Sequence, residues 1–278
     1  MLLFVYGTLR KFQTNHSFLD EMSCVSENAW SSGKLCFTSQ PYPALLEGSE
    51  DVIGELYEIT GKVDKLVERL EGYDPDNESS SLYLKRLVPV HTDRGSVFAW
   101  TYFYQEDDAV DPVPFQDWSL HRMLDEGVEP LRYFAYGSCM DSKRIERDGC
   151  FHEFHKKTRG KVPGWQVEYR FALHDGSRAD LVETQTGPAE GVLYSITESA
   201  RKYLWEREGV TKGWYRPAVI PVLQGKNTVP ALTFLVCRKE EESAPPSHYA
   251  EEILRGASEV VSAFYYKQLE ARLQFLSQ

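Results

Sequence analysis

Three segments of the chain recur in the same order at nearly constant spacing, and this repetition restricts the architecture to two copies of one unit. Leu3-Phe-Val-Tyr-Gly-Thr-Leu9 matches Tyr133-Phe-Ala-Tyr-Gly-Ser-Cys139 at an offset of 130 residues, with Phe, Tyr and Gly coinciding. Val52-Ile-Gly-Glu-Leu-Tyr-Glu-Ile-Thr60 matches Ala189-Glu-Gly-Val-Leu-Tyr-Ser-Ile-Thr197 at offset 137, and the same offset carries Glu71-Gly72 onto Glu208-Gly209. Tyr83 to Val90 then aligns with Tyr215 to Val222 at offset 132, so the first copy has the longer loop before this segment. Ordered agreement at several segments with small shifts points to duplication. It sets one domain at residues 1–106, a second at 131–278, and a connecting segment at 107–130, which is acidic and proline-broken at its start and holds a short helix near Trp118 to Leu124.

Each copy opens with a short apolar run ending at Tyr-Gly, which reads as a strand leading into a loop. A glycine there permits positive φ and lets the backbone approach a ligand, and the N–H groups that follow can form an anion-binding nest. Further on, Thr60 and Thr197 stand where helix N-caps belong. Val63, Leu66, Val67 and Leu70 form the apolar stripe of the first helix and Ala200, Tyr203 and Leu204 that of the second. Glu71 and Glu208 each follow an apolar residue by four positions, so each borders the buried face at a helix C-terminus. The helix dipole and partial burial would both push such a carboxyl group's pKa upward, which suits a general base near neutral pH. A Glu before a C-cap glycine is more often solvated surface, but recurrence at the same offset favours a shared role.

The remaining signals mostly exclude. The chain has 278 residues, 42% hydrophobic and 13% aromatic, enough for two cores without staples. A formal net charge of -11 repels phosphate backbones and anionic lipid, so no nucleic-acid or membrane partner is expected, while small anionic substrates remain compatible with a local nest. Five cysteines with no C-x-x-C pair fit reduced thiols and a cytoplasmic setting. The apolar opening before Tyr6 has no basic flank and reads as a strand, and no stretch is long and apolar enough to span a bilayer. His152 and His155 have ligand-like spacing without a clear third ligand, so no metal and no cofactor is expected. Tyr249 to Leu276, with Ile253, Ala257, Val260, Phe264 and Leu273 at helical spacing, reads as one helix docked on the second domain.

Phe4-Val-Tyr-Gly-Thr-Leu-Arg10, Tyr42-Pro-Ala-Leu45, Gly54-Glu-Leu-Tyr57 and Leu70-Glu-Gly-Tyr73 resemble the γ-glutamylcyclotransferase-like (AIG2-like) superfamily, particularly its small members. The second copy, with Phe134-Ala-Tyr-Gly-Ser-Cys-Met140, Trp205-Glu-Arg-Glu-Gly209, Trp214-Tyr-Arg216, Pro246-Ser-His-Tyr249 and Arg255-Gly-Ala257, is similar to the glutathione-metabolising branch. The resemblance implies an α+β fold, in which each domain is a small mixed β-barrel with peripheral helices. It carries the catalytic Glu onto Glu71 and Glu208, and substrate binding onto Tyr6, Gly7, Thr8, Leu9 and Tyr83 in copy one and Tyr136, Gly137, Ser138, Cys139, Met140 and Tyr215 in copy two. Cys139 departs from the common Asn or Leu at its position, where packing and substrate contact are both open. Tyr6 and Tyr136 could position substrate, although a Tyr ending a strand is more often core.

The implied reaction is attack by a substrate's own α-amine on its γ-glutamyl carbonyl, giving 5-oxoproline and releasing an amine or amino acid. Because the nucleophile belongs to the substrate, the protein needs to orient it, move a proton and stabilise an oxyanion. A small γ-glutamyl substrate is the expected partner. Two other readings stand beside this one: a tandem module that binds small carboxylates without turnover, and an enzyme that removes a γ-glutamyl protecting group in a biosynthetic pathway.

Overall fold

The structure is a computed structural model that describes residues 1–127 and 130–278. It divides into two compact units, Met1–Glu126 and Gly127–Gln278. The first contains β1 (Leu2–Val5), β2 (Ser23–Phe37), β3 (Pro43–Glu58), α1 (Gly61–Leu70), β4 (Tyr83–Thr92), β5 (Gly95–Tyr104) and α2 (Trp118–Asp125). Its strands close into a barrel in the order β1-β3-β2-β4-β5. The barrel is mixed, since β1 runs antiparallel to β3, with Leu3 opposite Tyr57, and parallel to β5, with Leu3 opposite Trp100.

Strand periodicity explains why β1 is apolar throughout. Successive side chains point to opposite faces. Leu3 and Val5 join one core cluster with Leu9, Tyr57, Val67 and Tyr102, while Phe4 and Tyr6 join another with Leu35, Leu45, Val90 and Trp118. The chain therefore leaves β1 with both faces covered, and the Tyr-Gly loop starts from a fixed point.

The second unit contains β6 (Leu131–Ala135), α3 (Ser142–Arg147), β7 (Phe154–Val162), β8 (Trp165–Leu173), β9 (Gly176–Glu183), β10 (Ala189–Ile196), α4 (Glu198–Arg207), β11 (Tyr215–Gln224), β12 (Asn227–Val236), α5 (Ser247–Ser258) and α6 (Ala263–Leu276). Its closed barrel runs β10-β6-β12-β11-β7, which is the cyclic order of the first barrel. The β8–β9 hairpin is a separate two-stranded sheet. Within each unit the same hydrogen bonds recur. Tyr6 donates to the Tyr102 carbonyl at 2.7 Å as Tyr136 does to that of Phe234 at 2.5 Å, and Thr101 and Thr233 each donate at 3.0 Å, to Phe4 and Phe134.

Two segments differ from the sequence reading. Residues 107–126, read there as connecting chain, pack into the first unit. The Val110 N–H donates to Phe37 O at 2.9 Å, the Val113 N–H to Leu35 O at 2.8 Å, and buried Asp117 meets Arg10 at 2.6 Å. Residues 128 and 129 of that segment lie outside the described residues. The Tyr249 to Leu276 stretch is two helices, because Ser262 starts α6 as its N-cap, accepting from the Tyr265 N–H at 3.2 Å, while Glu190 accepts from the Ser262 N–H at 2.7 Å. The consequence is that Phe264, placed by periodicity on the buried stripe, is 74% exposed, whereas Ile253, Ala257 and Leu273 are buried. Among the described residues no helix is long and apolar enough to cross a membrane.

Candidate functional site

Each unit has a cavity where its Tyr-Gly loop faces the end of its first long helix. In the first unit the cavity is about 250 Å³ and is lined by Tyr6, Gly7, Thr8 and Leu9 from the loop, Leu70 and Glu71 from the end of α1, and Tyr83 and Tyr102 from β4 and β5. In the second it is about 550 Å³, with Tyr136, Gly137, Ser138 and Cys139 facing Arg207, Glu208, Tyr215 and Phe234. Residues distant in sequence thus converge twice on one pattern. Met140 is the exception among the loop residues read from sequence. It is fully buried and absent from the lining, because α5 packs over it.

The two glutamates are placed by identical local means. Thr60 accepts from the Val63 N–H and Thr197 from the Ala200 N–H, fixing the start of each helix. After a helix of ten residues Glu71 and Glu208 occupy the C-cap with φ of -81° and -80°. The glycines that follow adopt left-handed φ of 59° and 61°, ending the helix and turning the chain towards the next strand. Burial pushes the Glu71 carboxyl up to about 7. Burial also raises Glu208, against the opposing pull of Arg207, whose Nε lies 3.7 Å from its Oε1. The Cys139 thiol sits 3.9 Å from the same oxygen and is itself raised by burial, so it is a neutral neighbour of the carboxyl group.

Of the two purposes read in sequence for the loop glycines, positive φ and close approach, the fold uses one, and towards its own side chains. Gly137 has φ -113°, and Gly7 is likewise outside the left-handed region, so positive φ is not the reason for either. Close approach is. A Cβ on Gly7 would lie 3.0 Å from Pro43 Cγ, and one on Gly137 would lie 3.2 Å from the Tyr249 hydroxyl. Tyr6 and Tyr136 line the cavities with their rings while their hydroxyls bind strand carbonyls, which combines the core and lining roles. Tyr83 and Tyr215 do the same, donating to Pro43 O at 3.0 Å and Ala179 O at 2.7 Å.

Several lining residues were not singled out from sequence. In the first unit these are Asn15, whose amide donates to Thr8 Oγ1 at 3.0 Å, and Tyr102, whose buried hydroxyl has no hydrogen-bond partner among the described residues. In the second they are Arg144, Arg147, Arg178 and Arg207 with Asp148 and Glu252. Arg207 donates to Ser138 Oγ at 3.0 Å, tying the helix end to the loop. Only Arg207 had a signal, through its place in Trp205-Glu-Arg-Glu-Gly209. His152 lies on the surface with Glu153 at 3.2 Å, and among the described residues no group of three or more His, Cys, Asp or Glu is arranged to hold a metal ion.

Comparison with known proteins agrees with this geometry. The family described as γ-glutamyl cyclotransferase, AIG2-like matches residues 3–120, and the AIG2-like family matches residues 189–269. The chain is 38% identical over 283 aligned positions to YkqA of Bacillus subtilis, covering 99% of this chain and 98% of that protein. It belongs to the γ-glutamyl cyclotransferase, AIG2-like family. The crystal structure of YkqA superposes with a TM-score of 0.87 at 37% identity, covering 99% of this chain and 98% of that one, so the tandem barrel architecture is common to both. The chain is also similar to the γ-L-glutamyl-butirosin B γ-glutamyl cyclotransferase of Niallia circulans, 35% identical over 121 residues, which cover 44% of this chain and 77% of that protein.

Proposed function

We propose that both cavities cyclise γ-glutamyl compounds to 5-oxoproline, with Glu71 and Glu208 as the proton-transferring groups. The observation that carries this is the repeated placement of one half-buried Glu, its carboxyl group raised by burial, opposite a Tyr-Gly loop. The Niallia circulans relative is named as a γ-glutamyl cyclotransferase of γ-L-glutamyl-butirosin B, which supports the reaction class.

In the reaction the substrate's α-nitrogen bonds to its own γ-carbonyl carbon, and the γ-amide C–N bond breaks. The glutamate accepts a proton from the attacking nitrogen and returns one to the departing nitrogen, so that the products are 5-oxoproline and the free amine. No water is consumed and the enzyme ends unchanged. Proton transfer of this kind is typically worth about 10² to 10⁴ in rate. Orientation contributes more, since well-placed intramolecular attack reaches effective molarities of roughly 10⁵ to 10⁸ M. The loops Gly7 to Leu9 and Gly137 to Cys139 are placed to hold the glutamyl moiety and to offer backbone N–H groups to the developing oxyanion.

The test is release of 5-oxoproline from a panel of γ-glutamyl dipeptides and γ-glutamylamines. Wild-type protein should release it from at least one of them. Glu71→Gln and Glu208→Gln should each remove one component of the activity by 10²-fold or more, and the double variant both. Full activity in the double variant would remove the glutamates from the mechanism, and well-folded protein without product from any compound would remove the reaction.

A further inference from the structure

The two cavities keep the same residues where a γ-glutamyl group is common to all substrates and change them elsewhere. Tyr6, Gly7, Glu71 and Tyr83 of the first have Tyr136, Gly137, Glu208 and Tyr215 as counterparts in the second. The positions that differ should therefore face the part of the substrate that differs, the leaving group.

At those positions the chemistry changes in one direction. Leu70, the last residue of α1, is replaced by Arg207, the last of α4, and both line their cavities. The second cavity gains Arg144 and Arg147 from α3, which has no counterpart in the first unit, and Arg178 from β9. Among the described residues Glu71 is the one charged residue lining the first cavity, whereas four arginines line the second with Asp148, Glu208 and Glu252. The arginines are held in place: Arg144 meets Asp148 at 2.7 Å, Arg147 bonds Glu252, and Arg178 grips Asp175 at 2.9 Å through both oxygens while lying 5.1 Å from the Tyr249 ring centre. Fixed guanidinium forks beside an apolar wall favour a carboxylate, and a neutral wall of Leu70, Leu82 and Tyr42 in a cavity half the size strips one of water without a partner.

We propose that the two cavities divide γ-glutamyl substrates by the charge of the leaving group. The second takes those whose leaving group carries a carboxylate, as in γ-glutamyl peptides, and the first takes those whose leaving amine carries none. This division rests on the cyclotransferase reading of both cavities and adds to it a separate specificity for each.

The experiment uses γ-glutamylglycine and γ-glutamylglycinamide, which have nearly the same shape and differ in that carboxylate. With Glu71→Gln, which leaves the second site working, kcat/KM should favour γ-glutamylglycine by on the order of tenfold to a hundredfold. With Glu208→Gln the preference should vanish or reverse. Arg144→Gln and Arg178→Gln, each added to Glu71→Gln, should narrow the ratio. The same ratio in both glutamate variants, or a ratio untouched by either arginine change, overturns the division. If neither compound gives 5-oxoproline, the cyclotransferase reading fails, and the division is then decided by calorimetry on the Glu71→Gln/Glu208→Gln protein. Two unlike sites, one requiring the carboxylate and weakened by Arg178→Gln, uphold it; two sites that bind both compounds alike, or no binding, overturn it.

Discussion

Glu71 carries a penalty that depends on pH in a definite direction. Its carboxyl group ionises near 7 in the folded chain and near 4.3 in an unfolded one. A raised folded value means that the folded state holds the proton more tightly. The associated stability is complete below about pH 4, falls as pH rises between the two values, and is gone above 7. The charged form then costs up to about 4 kcal/mol at pH 8. Glu71→Gln, which mimics the neutral acid, should remove this dependence, so that urea melts at pH 5 and pH 8 show the variant gaining on wild type at the higher pH. A gain of equal size at both would mean that burial does not raise this group. The same value shapes activity: in Glu208→Gln protein kcat/KM should climb with pH and level off near 7, because the glutamate must be ionised to accept a proton.

Among the elements, α5 is what makes the second loop differ from the first. Gly256 lies where a Cβ would come within 2.3 Å of the Asp141 backbone nitrogen and 2.4 Å of the Met140 carbonyl carbon, and Arg255 pairs with Asp141 in the same contact. The Arg255-Gly-Ala257 segment is therefore a support on which the Tyr136 loop rests. Gly256→Ala should displace that loop and cost about 1–3 kcal/mol of overpacking. It should lower the Glu208-dependent activity while leaving the Glu71-dependent activity unchanged, as read in Glu71→Gln and Glu208→Gln backgrounds. The repeat made the loops, the glutamates and their helices legible in sequence, since each was seen twice at one spacing. What occurs once was not legible: the arginines of α3 and β9 have no partner copy, and the break before α6 depends on Glu190, which lies 72 residues before Ser262. Glycine presented a third kind of difficulty, because a residue type announces freedom but not whether the fold uses it for positive φ or for close approach.

For the molecule as a whole, the limit of the first folding unit is the sharpest consequence. Composition marks 107–130 as a connector, being acidic and proline-broken at its start, yet the first unit contains the chain as far as Glu126. The reason is a buried charge. Arg10, directly after the Tyr6 loop, is 2% exposed and held by Glu55 at 3.3 Å and Asp117 at 2.6 Å, while Asp117 also caps α2 by accepting from the Leu120 N–H. A chain ending at residue 106 would keep the barrel strands but leave Arg10 with Glu55 as its one carboxylate partner among the described residues, and would uncover the core residues that Val113, Trp118 and Leu120 shield. Breaking a buried pair by removing one partner typically costs about 3–5 kcal/mol, a large part of a domain's stability. Residues 1–126 should therefore unfold cooperatively, residues 1–106 should fail to, and Asp117→Ala in the full chain should destabilise the first unit by that amount. Chemical denaturation followed by circular dichroism measures all three, and a cooperative 1–106 fragment would show that the strands hold Arg10 without the segment that follows them.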